Sequence, residues 1–405
     1  MDDGIAGRIP GDLSRLISFD PHYKIVSGAC DGWGVYVVGG YLRDVLLQRQ
    51  SADRDYAVTA DPCVVAGRVR NIVGGTLVRF RYGPFCRLIT AGGLTLDFSA
   101  LPEGIEADLT LRDFTVNALA WSEQDGLLDP MFGRDDIRTR VIRMVSSANL
   151  EKDPLRIIRA YRLSHELSFS IEPFTRRALA GKSSLIRSVK AERITSEFLR
   201  LLKTPNAAGV LQVMLYDGVL SEIISSNCSR LEANIKALSG LEGKLNGIPL
   251  SFPFNSCVEP VSGISRKEYL LLSRLLSGAV ADRLILSRRI RHGLKRMTGA
   301  EEIVTRGNMG TAELLELFDS AGDCAPDALI LLGKEGLIEE YSRYLASDLR
   351  RILPRHELEL VKKHVRGKEF GTLLRRARRG LFVGEIQGRK ELMEMIEKEY
   401  RVNLT

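Results

Sequence analysis

The hydrophobic period of this chain changes once, near residue 150, and that change restricts the fold more than any other feature. Up to about residue 145, short segments of alternating character stand between glycines: "WGVYVVGG" (33–40), "RDYAVTA" (54–60), "GTLVRFRYG" (75–83), "CRLITAGG" (86–93) and "LTLDFSA" (94–100). Alternation bounded by turn residues predicts strands of a small mixed sheet. "DPCVVAGRVRNIVGG" (61–75) has helical spacing and ends on a glycine pair. From 150 onward one helical segment follows another: "DPLRIIRAYRLSHEL", "PFTRRALAGKSSLIRSV", "ERITSEFLRLLKT" and "AAGVLQVMLYDGVLSEII". The predicted fold is α+β, a mixed-sheet head over 1–145, a helical neck over 146–240 and a helical body and tail over 241–405. The last boundary falls in a Gly-, Pro- and Ser-rich stretch, "LEGKLNGIPLSFPFNSCVEPVSG" (241–263).

Length and composition agree with this division. A chain of 405 residues is too long for one ordinary core. No apolar run approaches the roughly 20 residues needed to span a bilayer. "MDDGIAGRIP" has no apolar core of a secretory leader, which predicts a cytoplasmic protein. Six cysteines lie far apart without C-x-x-C, and five histidines form no H-x-x-x-H pair, so zinc chemistry and a disulfide framework are not expected. The formal net charge is +7, and basic residues crowd 287–296, 361–370 and 373–380. Such stripes suit phosphate-backbone binding, and equally a solvated helix face.

The chemistry starts at "SADRDYAVTADP" (51–62). If "RDYAVT" is a strand, Asp53 and Asp55 point to one face, because side chains alternate. Two neighbouring carboxylates resist joint ionisation unless a cation sits between them. Oxygen ligands of this kind suit Mg²⁺, which takes one or two carboxylates together with phosphates and water. Arg54 alternates to the opposite face and reads as structural. Asp97, in another strand candidate, is the third carboxylate; a trio of this kind can serve two metals. Glu106 and Asp108 are set aside because "PEGIEADL" reads as a loop. Upstream, Gly39 and Gly40 end a strand and open a helix, where backbone can approach a phosphate closely. Arg43 is placed to reach the same anion.

Three further motifs follow in order. "LRDFTVNALA" (111–120) carries Arg112, Asp113 and Asn117. "KDPLRIIRAYRL" (152–163) opens a helix with Asp153 as N-cap and Pro154 in the first turn, then carries Arg156, Arg159 and Arg162. "ERITSEFLRLL" (192–202) reads as mainly structural, with Glu192 and Arg193 holding the helical neck. Together these stretches resemble the class II tRNA nucleotidyltransferases, the CCA-adding enzymes and their relatives the bacterial poly(A) polymerases. The similarity runs from about 34 to 220, with a fainter return over 365–392.

The resemblance implies template-independent, Mg²⁺-dependent transfer of CMP or AMP from CTP or ATP to the 3′ end of tRNA. Asp53 and Asp55 would be the metal ligands, and Asp97 would help activate the terminal hydroxyl. Asp153 and Arg156 would read the base edge; Arg159 and Arg162 would face the triphosphate with Gly39, Gly40 and Arg43; Arg112 and Asp113 would hold ribose and phosphates. The basic C-terminal half would grip the acceptor and T arms. The chain departs from the family pattern at Lys152-Asp153, where Glu-Asp is usual, and at Leu111-Arg112-Asp113, where Arg-Arg-Asp is usual. Only fourteen residues separate Asp97 from Arg112, as in relatives that add CC or A alone. A poly(A) polymerase shares nearly all of these motifs, and a non-catalytic RNA-binding protein derived from such a transferase is the alternative of another class.

Overall fold

A computed structural model describes residues 13–51, 53–80, 83–247, 257–259, 264–281, 283–306 and 309–400. The opening stretch 1–12 and most of 248–263, both read above from sequence, lie outside the described residues. The chain forms two compact units, Met1–Cys228 with Ala281–Ile285, and Ser229–Val280 with Leu286–Thr405.

The first unit begins with helices α1 (Leu13–Ser18) and α2 (Pro21–Cys30) and continues β1 (Val35–Val38), α3 (Gly40–Leu46), β2 (Asp53–Val58), α4 (Pro62–Val73), β3 (Thr76–Arg79), β4 (Phe85–Ile89), β5 (Thr95–Ala100), α5 (Ile105–Thr110), β6 (Ala120–Ser122) and β7 (Gly126–Leu128). The seven strands make one sheet in the order β3-β4-β5-β2-β1-β6-β7. Only β2 and β5 run parallel; every other pairing in the sheet is antiparallel. The helix expected over 61–75 is α4. Its start is fixed by Asp61, whose carboxylate accepts from the Cys63 and Val64 amides, with Pro62 in the first turn.

Strand alternation sorts the sheet into two faces. Tyr56, Cys86, Leu88, Leu96 and Phe98 are buried, with Tyr56 and Phe98 stacked at 5.5 Å. Asp53, Asp55, Arg87, Thr95 and Asp97 occupy the alternate positions. Farther along that second face, Val38, Ala57 and Ala120 pack with Leu101 and Leu109. Leu109 belongs to α5, which occupies the stretch expected to be a loop. Ile105 and Leu109, four residues apart, give α5 an apolar stripe for this cluster, while Glu106 and Asp108 sit favourably in its first turn. Pro102 and Gly104 disguised the helix, yet they only precede it.

After β7 come α6 (Gly133–Thr139), α7 (Ser147–Lys152), α8 (Leu155–Leu167), α9 (Pro173–Gly181), α10 (Ala191–Leu202) and α11 (Ala207–Tyr216). Asp153 caps α8 as expected: its carboxylate accepts from the Leu155 amide at 3.4 Å, and its carbonyl accepts from the Arg156 amide. Among the described residues two small ladders interrupt the helical remainder, Val141–Ile142 with Ser170–Ile171, and Cys257–Glu259 with Ile264–Ser265. The second unit is otherwise helical, from Cys228–Gly247 to Arg389–Tyr400. Its described residues include an apolar cluster around Phe318, Tyr341 and Tyr344 and another around Val361, Leu373 and Leu392. Arg288, Arg289, Arg291 and Lys295 are exposed, as are Arg375, Arg376 and Arg379. No described helix is long and apolar enough to cross a membrane.

Candidate active site

The ladder registers assemble an acidic row. Asp55 on β2 is the direct partner of Asp97 on β5, and Asp97 is in turn the partner of Arg87 on β4. Direct partners project to the same side of a sheet, so these three side chains stand in a line across three strands, with Asp53 two positions along β2. Arg87 donates from Nε and Nη2 to the two Asp97 oxygens, both at 2.7 Å. Sequence spacing gave no sign of Arg87. Arg54 lies on the other face, as expected, paired with Asp20 and resting over the Tyr41 ring.

Gly39 brings a turn against this row. Its φ of 74° and ψ of −139° belong to glycine, and a Cβ there would lie 3.3 Å from Arg112 Nη1 and 3.4 Å from Asp55 Oδ2. Arg112 follows α5 and is paired with Asp108 at 2.6 Å. The 110–112 turn is pinned from below. Asn149 donates to the Thr110 and Arg112 carbonyls at 2.8 and 2.9 Å, and Arg156 donates to the carbonyls of Leu111, Arg112 and Asn149. Asn149 is a site-building residue that the sequence reading missed, since nothing marked it apart from its helix.

A second network lies beneath. Arg43 is buried; it donates to Asn117 at 2.7 Å and pairs with Asp44, with its guanidinium against Gly40. Asn117 links Arg43 to Asp113, donating to it at 3.0 Å. Asp113 also accepts from the Phe114 amide and pairs with Arg159 at 3.0 Å. Burial alone would raise the Asp113 pKa; Arg159, Asn117 and the Phe114 amide outweigh it and hold the carboxyl below its ordinary value. Asp153 pairs with Arg193 at 2.8 Å.

Arg162 departs from expectation. It is buried and its guanidinium is divided between Glu197 on α10 and Glu166, so it fastens one helix to another. The reason is geometric. Nine residues at about 100° each bring Arg162 to about 180° from Asp153 round the helix axis.

Asp55 carries the electrostatic signature of the site. Burial pushes its carboxyl from 3.8 up to about 6; Arg112 and Arg159 lower it, while Asp97 and Asp53 raise it further. Among the described residues no group of three or more His, Cys, Asp or Glu encloses a metal position. Asp53 and Asp55 nevertheless fit a hard divalent cation that draws its other ligands from phosphate and water, because such a charge would relieve the strain on Asp55. A testable consequence follows in the absence of divalent cations. Because the folded-state pKa is raised, this carboxyl stabilises the fold below about pH 4, and that contribution is lost as pH rises towards about 6. Asp55→Asn is expected to be more stable than the parent above pH 6 in chelator, by on the order of 3 kcal/mol, with the difference vanishing below pH 4. Urea titrations across that range measure it.

Comparison with known proteins identifies the family and the fold. The family model described as "Poly A polymerase head domain" matches residues 35–92 and 93–143, and that described as "Probable RNA and SrmB- binding site of polymerase A" matches 168–226. The CC-adding tRNA nucleotidyltransferase of Geobacter sulfurreducens is 30% identical over 95% of this chain and 97% of its own. The A-adding tRNA nucleotidyltransferase of Deinococcus radiodurans is 40% identical over 44% of this chain and 42% of its own. The fold matches the Thermotoga maritima CCA-adding enzyme, solved with tRNA, at a TM-score of 0.69 and 22% identity, covering 95% of this chain and 98% of that one. With a 30% identical relative aligned over nearly its whole length and a matching head-domain model, this chain belongs to the class II CCA-adding tRNA nucleotidyltransferase family.

Proposed function

We propose that this chain adds CMP from CTP to the 3′ end of tRNA in the cytoplasm, with Mg²⁺ held by Asp53 and Asp55. The observation that carries the proposal is the alignment of Asp55, Asp97 and Arg87 across three strands beside the Gly39 turn. Bound Mg²⁺ would supply Lewis-acid polarisation of the triphosphate. The chain's own residues position the reactants. Gly39 and Gly40 let backbone approach the phosphates, and Arg112 and Arg159 supply positive charge beside Asp55. Each Asp97 oxygen keeps an acceptor position beyond its Arg87 bond, available to the terminal 3′-OH of the RNA. The 3′ oxygen, its proton passing to Asp97, attacks the α-phosphate and pyrophosphate leaves. Catalysis of this kind is positioning and electrostatics. Asp153 and Arg156, at the start of α8, would read the base edge by accepting and donating respectively. On this reading 1–145 is the catalytic head, 146–240 the neck, and 241–405 the body and tail whose basic helices take the acceptor and T arms.

Addition of CC alone is favoured by the segment joining Asp97 to Arg112. Ten of its fourteen residues belong to the end of β5, to α5 and to the turn pinned by Asn149, leaving little chain for a mobile element. The relative that aligns over 95% of the chain carries a CC-adding name. Addition of AMP is the second reading, favoured by the 40% identity to the A-adding relative over 184 residues.

The deciding assay offers CTP or ATP singly, with Mg²⁺, to tRNA transcripts ending at the discriminator base, C or CC. The expected products are two cytidylates on the first, one on the second and none on the third. AMP added to the CC end would overturn CC specificity. A long A tract on unrelated RNA would replace tRNA as the substrate.

A further inference from the structure

The acidic row holds one cation that no proposed reaction step uses. Cys86 and Leu88, buried on the opposite face, fix the direction of β4 and so aim Arg87 along the row at Asp97. The pairing is side-on, through Nε and Nη2, and engages both carboxylate oxygens. The other cations near the row have carboxylates of their own: Arg112 has Asp108, Arg159 has Asp113, and Arg43 has Asp44. Among the described residues, Arg87 alone is ion-paired with a member of the row. Asp97 is thereby held at its ladder position beside Asp55, with its charge already countered, while Asp53 and Asp55 have no such partner among the described residues.

We propose that Arg87 is a positioning residue that divides the three carboxylates by task. By occupying Asp97 it keeps that carboxylate from joining Asp53 and Asp55 around a divalent cation and holds it oriented for the RNA 3′-OH. For Asp97 to become a full metal ligand it must surrender two charge-assisted hydrogen bonds, so the cation site stays a two-carboxylate site that takes phosphates readily. A lysine in its place supplies the charge without the fork, and therefore without fixing the carboxylate plane. This inference rests on the nucleotidyltransferase reading for its kinetic part only.

The test uses the full chain with Mn²⁺ as the probe, free of nucleotide and RNA, read by electron paramagnetic resonance. Arg87→Met is expected to tighten Mn²⁺ binding about tenfold, because a third carboxylate becomes available. The gain should disappear in Arg87→Met with Asp97→Asn. In CMP addition, Arg87→Met should lower kcat about tenfold with KM for CTP within about twofold, the scale of lost outer-shell support, and Arg87→Lys should recover part of kcat. Unchanged Mn²⁺ affinity overturns the proposal, as does a gain that survives Asp97→Asn or an unchanged kcat. If circular dichroism shows Arg87→Met unfolded, Arg87→Lys with and without Asp97→Asn carries the same Mn²⁺ comparison. A parent chain that adds no nucleotide to tRNA would defeat the functional reading, while the Mn²⁺ arm, which needs no substrate, still decides the role of Arg87.

Discussion

Replacing Asp53 and Asp55 together by alanine is expected to lower CMP incorporation by at least about 10³-fold in kcat/KM, the scale seen when charge-stabilising groups are removed from a transition state. The two side chains share one face of β2, and among the described residues no cation is ion-paired with either, whereas Asp97 has Arg87. Their mutual repulsion and the burial of Asp55 mean that the nucleotide-free protein gains nothing from them. The variant should therefore melt no lower than the parent in chelator, and Asp55 should account for most of any gain. Loss of activity without loss of stability marks groups kept for chemistry. Affinity for tRNA, measured by filter binding at two salt concentrations, should change little, because phosphate contacts set that term. Incorporation that persists at parental rate would sink the assignment, and so would a loss explained by unfolding.

The parts of this site that sequence disclosed are those whose geometry is local. Asp53 and Asp55 share a face because a strand alternates every residue, and Asp153 caps α8 because Asp-Pro is a strong helix start. Asp97 was legible for the same reason, as an alternating position in a strand. What was hidden depends on register and on accumulated rotation. Arg87 meets Asp97 only because β4 and β5 pair at that particular offset, which no spacing in "CRLITAGGLTLDF" dictates. Asn149 reaches 37 and 39 residues back along the chain to pin the 110–112 turn, a long-range contact without a local signal. Helix α5 was obscured by Pro102 and Gly104, residues that mark loops when read alone but here merely precede a short amphipathic helix. Arg162 looked like the last of a stripe because its spacing from Arg159 matches that of its predecessors. Three steps of three residues nevertheless carry it about half a turn from Asp153, into the interface with α10.

That interface supplies the largest expected stability effect. Arg162 and Glu197 are both buried, and Glu197 sits on α10 among Ile194, Phe198, Leu201 and Leu202. Glu197→Leu leaves the guanidinium with Glu166 alone, and removal of one partner from a buried pair costs about 3–5 kcal/mol. For a unit of this size that corresponds to a fall in Tm of roughly 6–20 °C. Adding Arg162→Met removes the orphaned charge and should restore most of the loss, because a well-packed apolar pair can replace a buried ionic one at little cost. The double variant also separates the two roles considered for Arg162. As a helix-to-helix tie it leaves KM for CTP within about twofold once the fold is restored, whereas a triphosphate ligand would raise KM by tenfold or more, the worth of one charge-assisted contact at about 1.5–3 kcal/mol. Thermal melts of the single and double variants, followed by CTP titrations of whichever remains folded, measure both quantities on the same protein. A raised KM in a fully stable double variant would return Arg162 to the nucleotide site, with Glu197 then holding it in reserve until the triphosphate arrives.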